Sequence, residues 1–268
     1  MKKILLAIDG ENFPEGAFEF VCKMNEHEPV LLSGVFLPQL IAGNIRYTSV
    51  FVPLIENYST TAMEQSITIF KESCQRNNIT FTVHNNLHDF ALVELKKETR
   101  FADLLLLGSE KFYSNLNPNG PNKFLQDALH KTECPVIAAP EKFTFPENVV
   151  LTYDGSASSA YAIKYFTYIF PQLCNKPTIL VFNNVKKTKD IPEFDEIREL
   201  ATYYFTNLTI QLLNADPKKY FGTWLSDIKN PIVVSGAYGR SNISRAFKHS
   251  FISEIINEHK VPLFIAHH

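Results

Sequence analysis

Val149-Val-Leu-Thr-Tyr-Asp-Gly155 repeats, at an offset of 145 residues, the pattern of Ile4-Leu-Leu-Ala-Ile-Asp-Gly10. Each stretch is a short, mostly apolar run without polar alternation that stops at Asp-Gly. Such a run reads as a strand buried on both faces and ended by a turn. The register holds beyond it. Ala17, Phe20, Val21 and Met24 follow the i, i+3, i+4, i+7 spacing of one helix face, and Ala162, Tyr165, Phe166 and Ile169 follow it at the same offset of 145. One strand-and-helix unit has been used twice.

Further along, Leu104-Leu-Leu-Leu-Gly108 matches Ile232-Val-Val-Ser-Gly236 at an offset of 128, and Pro135-Val-Ile-Ala-Ala139 matches Pro262-Leu-Phe-Ile-Ala266 at 127. The first copy therefore carries about 17 extra residues, and Pro38–Thr61, rich in Pro, Gly, Asn, Ser and Thr, is the expected long loop. Amphipathic segments at Met63–Arg76, Phe90–Lys97, Phe194–Tyr204 and Trp224–Ile228 read as helices between the strands. Alternating strands and helices predict an α/β fold: two tandem doubly wound, mainly parallel five-stranded sheets. The expected division is residues 1–140, a linker over 141–147, and residues 148–268.

The chain has 268 residues, enough for two cores, and its 45% hydrophobic and 20% charged content is that of an ordinary globular protein. A net charge of −2 supplies no general attraction to nucleic acid or anionic lipid, so neither is an expected partner. Cys22, Cys74, Cys134 and Cys174 lie without Cys-x-x-Cys pairing and read as reduced, buried thiols. Asp9 interrupts the apolar stretch after Lys2 and Lys3 too early for a signal peptide, and no run is long enough to span a bilayer; a cytoplasmic protein without membrane contact is expected.

The second copy holds the richest motif, Ser235-Gly236-Ala-Tyr-Gly239-Arg240-Ser241-Asn-Ile-Ser244-Arg245-Ala-Phe-Lys248-His249-Ser250, between a buried strand and an expected helix over Phe251–His259. Glycines there let the backbone take φ > 0 and approach a ligand, and amides at a helix start attract anions. Ser250 fits the helix cap and offers a hydroxyl to the same anion. By itself Gly-x-x-Gly is explained equally by a tight turn.

This wording resembles the universal stress protein family, whose nucleotide-binding members carry Gly-x2-Gly-x9-Gly-Ser/Thr after the fourth strand and an Asp at the end of the first. Asp154, Gly236, Gly239 and Ser250 fall on those positions, with Arg240, Ser241 and Ser244 similar to the family loop, while His249 stands where the last Gly is found. The resemblance covers essentially the whole chain as a tandem member. It implies an adenine-nucleotide α-hydrolase-like fold and a site for ATP or a related nucleotide in the second half, with Asp154 at the adenine and Gly236, Gly239, Arg240 and Ser250 at the phosphates. In the first copy Lys111 replaces the second Gly and Lys123 stands opposite Ser250, so its loop reads as degenerate.

Asp154 and Asp9 also fit plain turn or capping roles, and Arg240, Arg245 and Lys248 a solvated loop and helix face; of these three only Arg240 is assigned to the site. The histidines, His267 and His268 included, lack metal-ligand spacing, and the 22 Phe and 11 Tyr read as core rather than as stacking platforms. No familiar catalytic motif is spelled out and no catalytic residue is assigned. Two functions remain: a stress-response-type regulator that binds ATP or a relative, for which the resemblance leaves slow hydrolysis open but the sequence names no residue, or a nucleotide-independent scaffold of the same fold. A catalytic member of the wider adenine-nucleotide group is the weaker third. The family pairs domains through the last strand, which implies that Val136–Ala139 and Leu263–Ala266 build a pseudo-dimer within the chain; homodimerisation of the whole chain stays open.

Overall fold

The computed structural model describes residues 1–9, 12–37, 41–42, 53–54, 60–85, 91–110, 112, 123–183, 188, 191–213, 217–236 and 260–266. Contacts group the chain into two units, Met1–Glu133 and Cys134–His268.

In the first unit, β1 (Lys2–Ile8) leads into α1 (Glu15–His27) and β2 (Val30–Phe36). Next come a short antiparallel pair, β3 (Ile41–Ala42) and β4 (Pro53–Leu54), then α2 (Thr60–Arg76) and β5 (Thr80–Asn85). The unit closes with α3 (Ala91–Thr99), β6 (Leu104–Gly108) and α4 (Lys123–Lys131). The main sheet has the order β6-β1-β2-β5, every pair parallel. β3 and β4 fall inside the expected loop over Pro38–Thr61, where no strand was anticipated; the rest of that loop lies outside the described residues.

In the second unit, β7 (Val136–Ala139) and β8 (Asn148–Tyr153) precede α5 (Ala157–Ile169), β9 (Thr178–Asn183) and α6 (Phe194–Tyr204). β10 (Leu208–Leu213), α7 (Pro217–Ser226), β11 (Pro231–Gly236) and β12 (Leu263–Ala266) complete it. The order β10-β9-β8-β11-β12 is parallel throughout, and β7 adds to β12 in the antiparallel sense. In sequence order each repeat thus supplies five main strands, β1, β2, β5, β6 and β7, then β8 to β12. β7, which the repeat register counts with the first half, groups by contact with the second unit, where it pairs with β12. α7 starts seven residues before the expected Trp224, since Pro217 suits a first helical position that the apolar spacing did not mark.

Uninterrupted apolar runs give strands buried almost end to end: all of β6, and all but the first residues of β1 and β8. The outermost strands β5 and β10 are only partly covered. Aromatic side chains fill the helix-to-sheet gaps. Phe70 of α2 meets Phe36 and Phe81 edge-on at 5.8 and 5.7 Å, and Gly34 leaves room for that ring, which would lie 2.8 Å from an added Cβ. In the second unit Phe166 of α5 lies 5.3 Å from Phe264 of β12. The 140–147 stretch is irregular but tied down at its end: Glu147 N donates to Asn230 O at 3.0 Å and its carboxylate takes Lys229 Nζ at 2.7 Å and Asn230 Nδ2 at 3.0 Å.

Candidate crevice at the carboxyl ends of β8 and β11

β8 and β11 are parallel neighbours with Val234 opposite Leu151, and each continues two residues further, to Tyr153 and Gly236. From β8 the chain proceeds to β9 on one side, while β11 lies on the other. Strand order therefore reverses between β8 and β11, the place where open α/β sheets leave a crevice beyond their carboxyl ends. The buried Thr152 hydroxyl donates to Val234 O at 3.0 Å and holds the two strands together.

Asp154 follows β8 and is exposed, its Oδ1 accepting from Ser156 N at 3.0 Å. That short turn needs Gly155, whose φ is +82° and whose position faces Pro192, 2.9 Å from a hypothetical Cβ. Ser156 then caps α5, accepting from Ser159 N at 3.1 Å through its hydroxyl, while Ser159 Oγ donates back to Ser156 O at 2.8 Å. The positive end of the α5 dipole consequently opens beside Asp154.

Gly236 packs on this same helix turn. A Cβ there would lie 2.4 Å from Ser159 N and 2.5 Å from the Ser158 carbonyl carbon, backbone atoms that cannot swing away. Glycine at 236 is thus demanded by the close approach of strand to helix, whatever the loop beyond it binds. The structure brings Asp154 and Gly236 to one crevice; Gly239, Arg240, Ser250 and His249 lie outside the described residues.

Sequence reading missed the wall on the β9 side. Ile191 is buried, Pro192 lies against Gly155, and Glu193, at φ +51° before α6, accepts from the Tyr153 hydroxyl at 3.4 Å. Burial first, then the Glu193 carboxylate, pushes the Tyr153 phenol above its ordinary pKa, so it stays a neutral donor. With Asp154 and Glu196 also close, this side of the crevice carries acceptors for hydroxyl and amine donors. Glu193 precedes Phe194, the first residue of the expected helix; as a residue just ahead of an amphipathic run it had a faint signal as a helix-start acid.

Chain comparisons locate this arrangement among known folds. A universal stress protein from Archaeoglobus fulgidus superposes with a TM-score of 0.70 over 99% of this chain and 96% of its own, at 13% identity. The chain has the fold of the universal stress proteins. A putative universal stress protein from Pseudomonas aeruginosa matches at a TM-score of 0.59 over 100% of this chain and 93% of its own, at 12% identity. No family model and no curated protein matches the sequence. The universal stress protein fold accounts for the strand order, which is 3-2-1-4-5 when the second repeat's strands are numbered from β8.

Other chemistry is sparse. Burial pushes the Cys22 and Cys174 thiols up to about 11 and Cys74 to about 12, so none is a ready thiolate; Cys22 is half-buried rather than buried as expected. Among the described residues no group of three or more His, Cys, Asp or Glu is placed to hold a metal ion, and no helix is long and apolar enough to cross a membrane.

Proposed function

We propose that this chain is a stress-response-type regulatory protein that binds ATP or a related adenine nucleotide once per chain, in its second half. The observation that carries the reading is the convergence of an exposed carboxylate, Asp154, the glycine end of β11 and the capped start of α5 at the point where strand order reverses. Asp154, Glu193 and the Tyr153 hydroxyl suit the donors of an adenine and ribose. The loop from Gly236, with Gly239, Arg240 and Ser250, suits phosphates. Occupancy of the site, rather than turnover, is the signal in this reading. The two repeats are read as universal stress protein-like domains, 1–140 and 148–268, and the pairing of their last strands, β7 and β12, within the second unit supports that reading.

Mass spectrometry of nucleotide released from natively purified protein, followed by calorimetric titration with Mg-ATP, tests this. One site is expected, weakened at least tenfold by Gly239→Val, because a branched side chain resists φ > 0 and blocks approach to phosphate. His249→Gly is expected to tighten binding by removing bulk beside the phosphate path; clearly weaker binding in that variant makes His249 a ligand instead. Two equal sites contradict the reading.

The scaffold reading has one specific observation in its favour: packing against Ser158 and Ser159 already explains Gly236 without any ligand. Failure of both the natural sequence and His249→Gly to bind nucleotide selects it.

A further inference from the structure

A four-residue polar chain in the first unit takes no part in the crevice of the second. β5 is the outermost strand of its sheet, and alternation puts Phe81 on one face, against Phe70 of α2, and Thr82 and His84 on the other. There Glu98 of α3 reaches His84: its Oε1 lies 2.9 Å from Nδ1. His84 Nε2 lies 3.5 Å from Thr82 Oγ1, and Thr82 Oγ1 lies 2.8 Å from Oγ of Ser33, its cross-strand partner on β2.

Hydrogen-bond direction along this chain is set from its end. A carboxylate only accepts, so Glu98 requires the proton on Nδ1, which leaves the lone pair of Nε2 facing Thr82. Thr82 then donates to Nε2 and accepts from the Ser33 hydroxyl, a donor that stabilises negative charge as it grows on Oγ1. Ser33 is fully buried, whereas Thr82 is exposed and the His84 side chain is 33% exposed, so the activated oxygen is the one a solute can reach. The nucleophile, base and orienting acid are the parts of covalent acyl transfer, and the 3.5 Å contact is the one expected to shorten when substrate arrives. Among the described residues β5 pairs with β2 alone, so alternate amides on its outer side are donors for an oxyanion.

We propose that Thr82 is a nucleophilic hydroxyl, activated by His84 and positioned through Glu98, that takes the acyl group of small esters with good leaving groups. Thr82 Oγ1 attacks the carbonyl carbon as Nε2 of His84 takes its proton. The carbon–oxygen bond to the leaving group then breaks, and the departing oxygen carries off the electron pair; the proton on His84 goes with it where that oxygen is basic enough and otherwise passes to bulk water, so that Nε2 is free again. Water, deprotonated by His84, next cleaves the threonyl ester, restoring Thr82 and releasing the carboxylic acid.

The test is reaction of the full chain with p-nitrophenyl acetate, following p-nitrophenolate release and locating acetyl groups by tandem mass spectrometry. Acetyl on Thr82 is expected, with release slowed about 100-fold in Thr82→Val and His84→Ala, the lower range for general-base catalysis. Thr82→Ser keeps the hydroxyl without the crowding methyl and is expected to label at least as fast. Glu98→Gln is expected to slow release and Glu98→Asp to restore part of the rate, with the thermal melt unchanged in both; a purely structural Glu98 leaves the rate of the folded Glu98→Gln protein unchanged. Absence of acetyl from Thr82 in both the natural protein and Thr82→Ser overturns the proposal. So does Thr82 labelling that persists undiminished in His84→Ala with its thermal melt intact.

Discussion

Asp9 and Asp154 occupy the same place in the repeat, each directly after the first strand of its half, yet their surroundings differ. Asp9 is only 6% exposed and accepts from Asn12 N at 2.9 Å and Asn12 Nδ2 at 3.3 Å. Asp154 is exposed and accepts from Ser156 N alone among the bonds just described. At the repeat offset of 145, Asn12 corresponds to Ala157, which has no side-chain donor to return. The helices that follow also begin differently: Ser156 caps α5 with its hydroxyl, whereas α1 starts after Pro14 without a side-chain cap and carries Glu15 in its first turn. Asn12 therefore ties the Asp9 carboxylate back to its own chain, whereas Ala157 offers Asp154 no such side chain and Asp154 is exposed.

The largest effect is expected at Gly236. Gly236→Val forces a side chain into Ser158 and Ser159 backbone and should lower stability by about 3 kcal/mol in urea unfolding, the upper range for overpacking. A loss below about 1 kcal/mol would show that strand and helix separate easily and would weaken the packing account of this glycine.

Next comes the aspartate pair itself. Asp9→Ala should cost about 2 kcal/mol because a buried, doubly bonded carboxylate is lost, while Asp154→Ala should change stability by less than about 0.5 kcal/mol. The same Asp154→Ala should cost about tenfold in nucleotide affinity, about 1.4 kcal/mol. Equal stability losses would erase the contrast between the two strand ends.

Gly155→Ala should cost about 1.5 kcal/mol, from φ of +82° together with the Pro192 contact, and Ser156→Ala about 1 kcal/mol for the lost cap; thermal melts measure both. The smallest expected effect is at Glu147. Lys229 first, then Asn230, hold its carboxyl below the ordinary range, so its contribution is present above that range and fades as pH falls through it. Lys229→Ala should flatten the change in urea midpoint between about pH 6 and about pH 3, the span in which glutamate titrates.

Much of the fold was legible because buried parallel strands and one-sided helices leave strong periodic marks. α6 runs from Phe194 to Tyr204 as the spacing required, and the repeat register located both β7 and β12. The β9-side wall of the crevice was not legible: Pro192 and Glu193 lie 37 and 38 positions after Gly155, in a stretch without periodicity, and only the chain's return from β9 to α6 carries them there. Thr82, His84 and Glu98 were equally silent, since strand alternation joins the first two and a helix packed beside the edge supplies the third.

By itself the sequence determined the α/β class and the places of the buried strands and one-sided helices, because both follow from hydrophobic period. Only the tertiary structure decided what the matched residues do. Gly236 became a packing residue because β11 presses on the first turn of α5, and Asp154 stayed open while Asp9 closed because Asn12 folds back on one and Ala157 cannot on the other. β7 pairs with β12, more than 120 positions further along, because strand hydrogen bonds are made in space, where distance along the chain does not count.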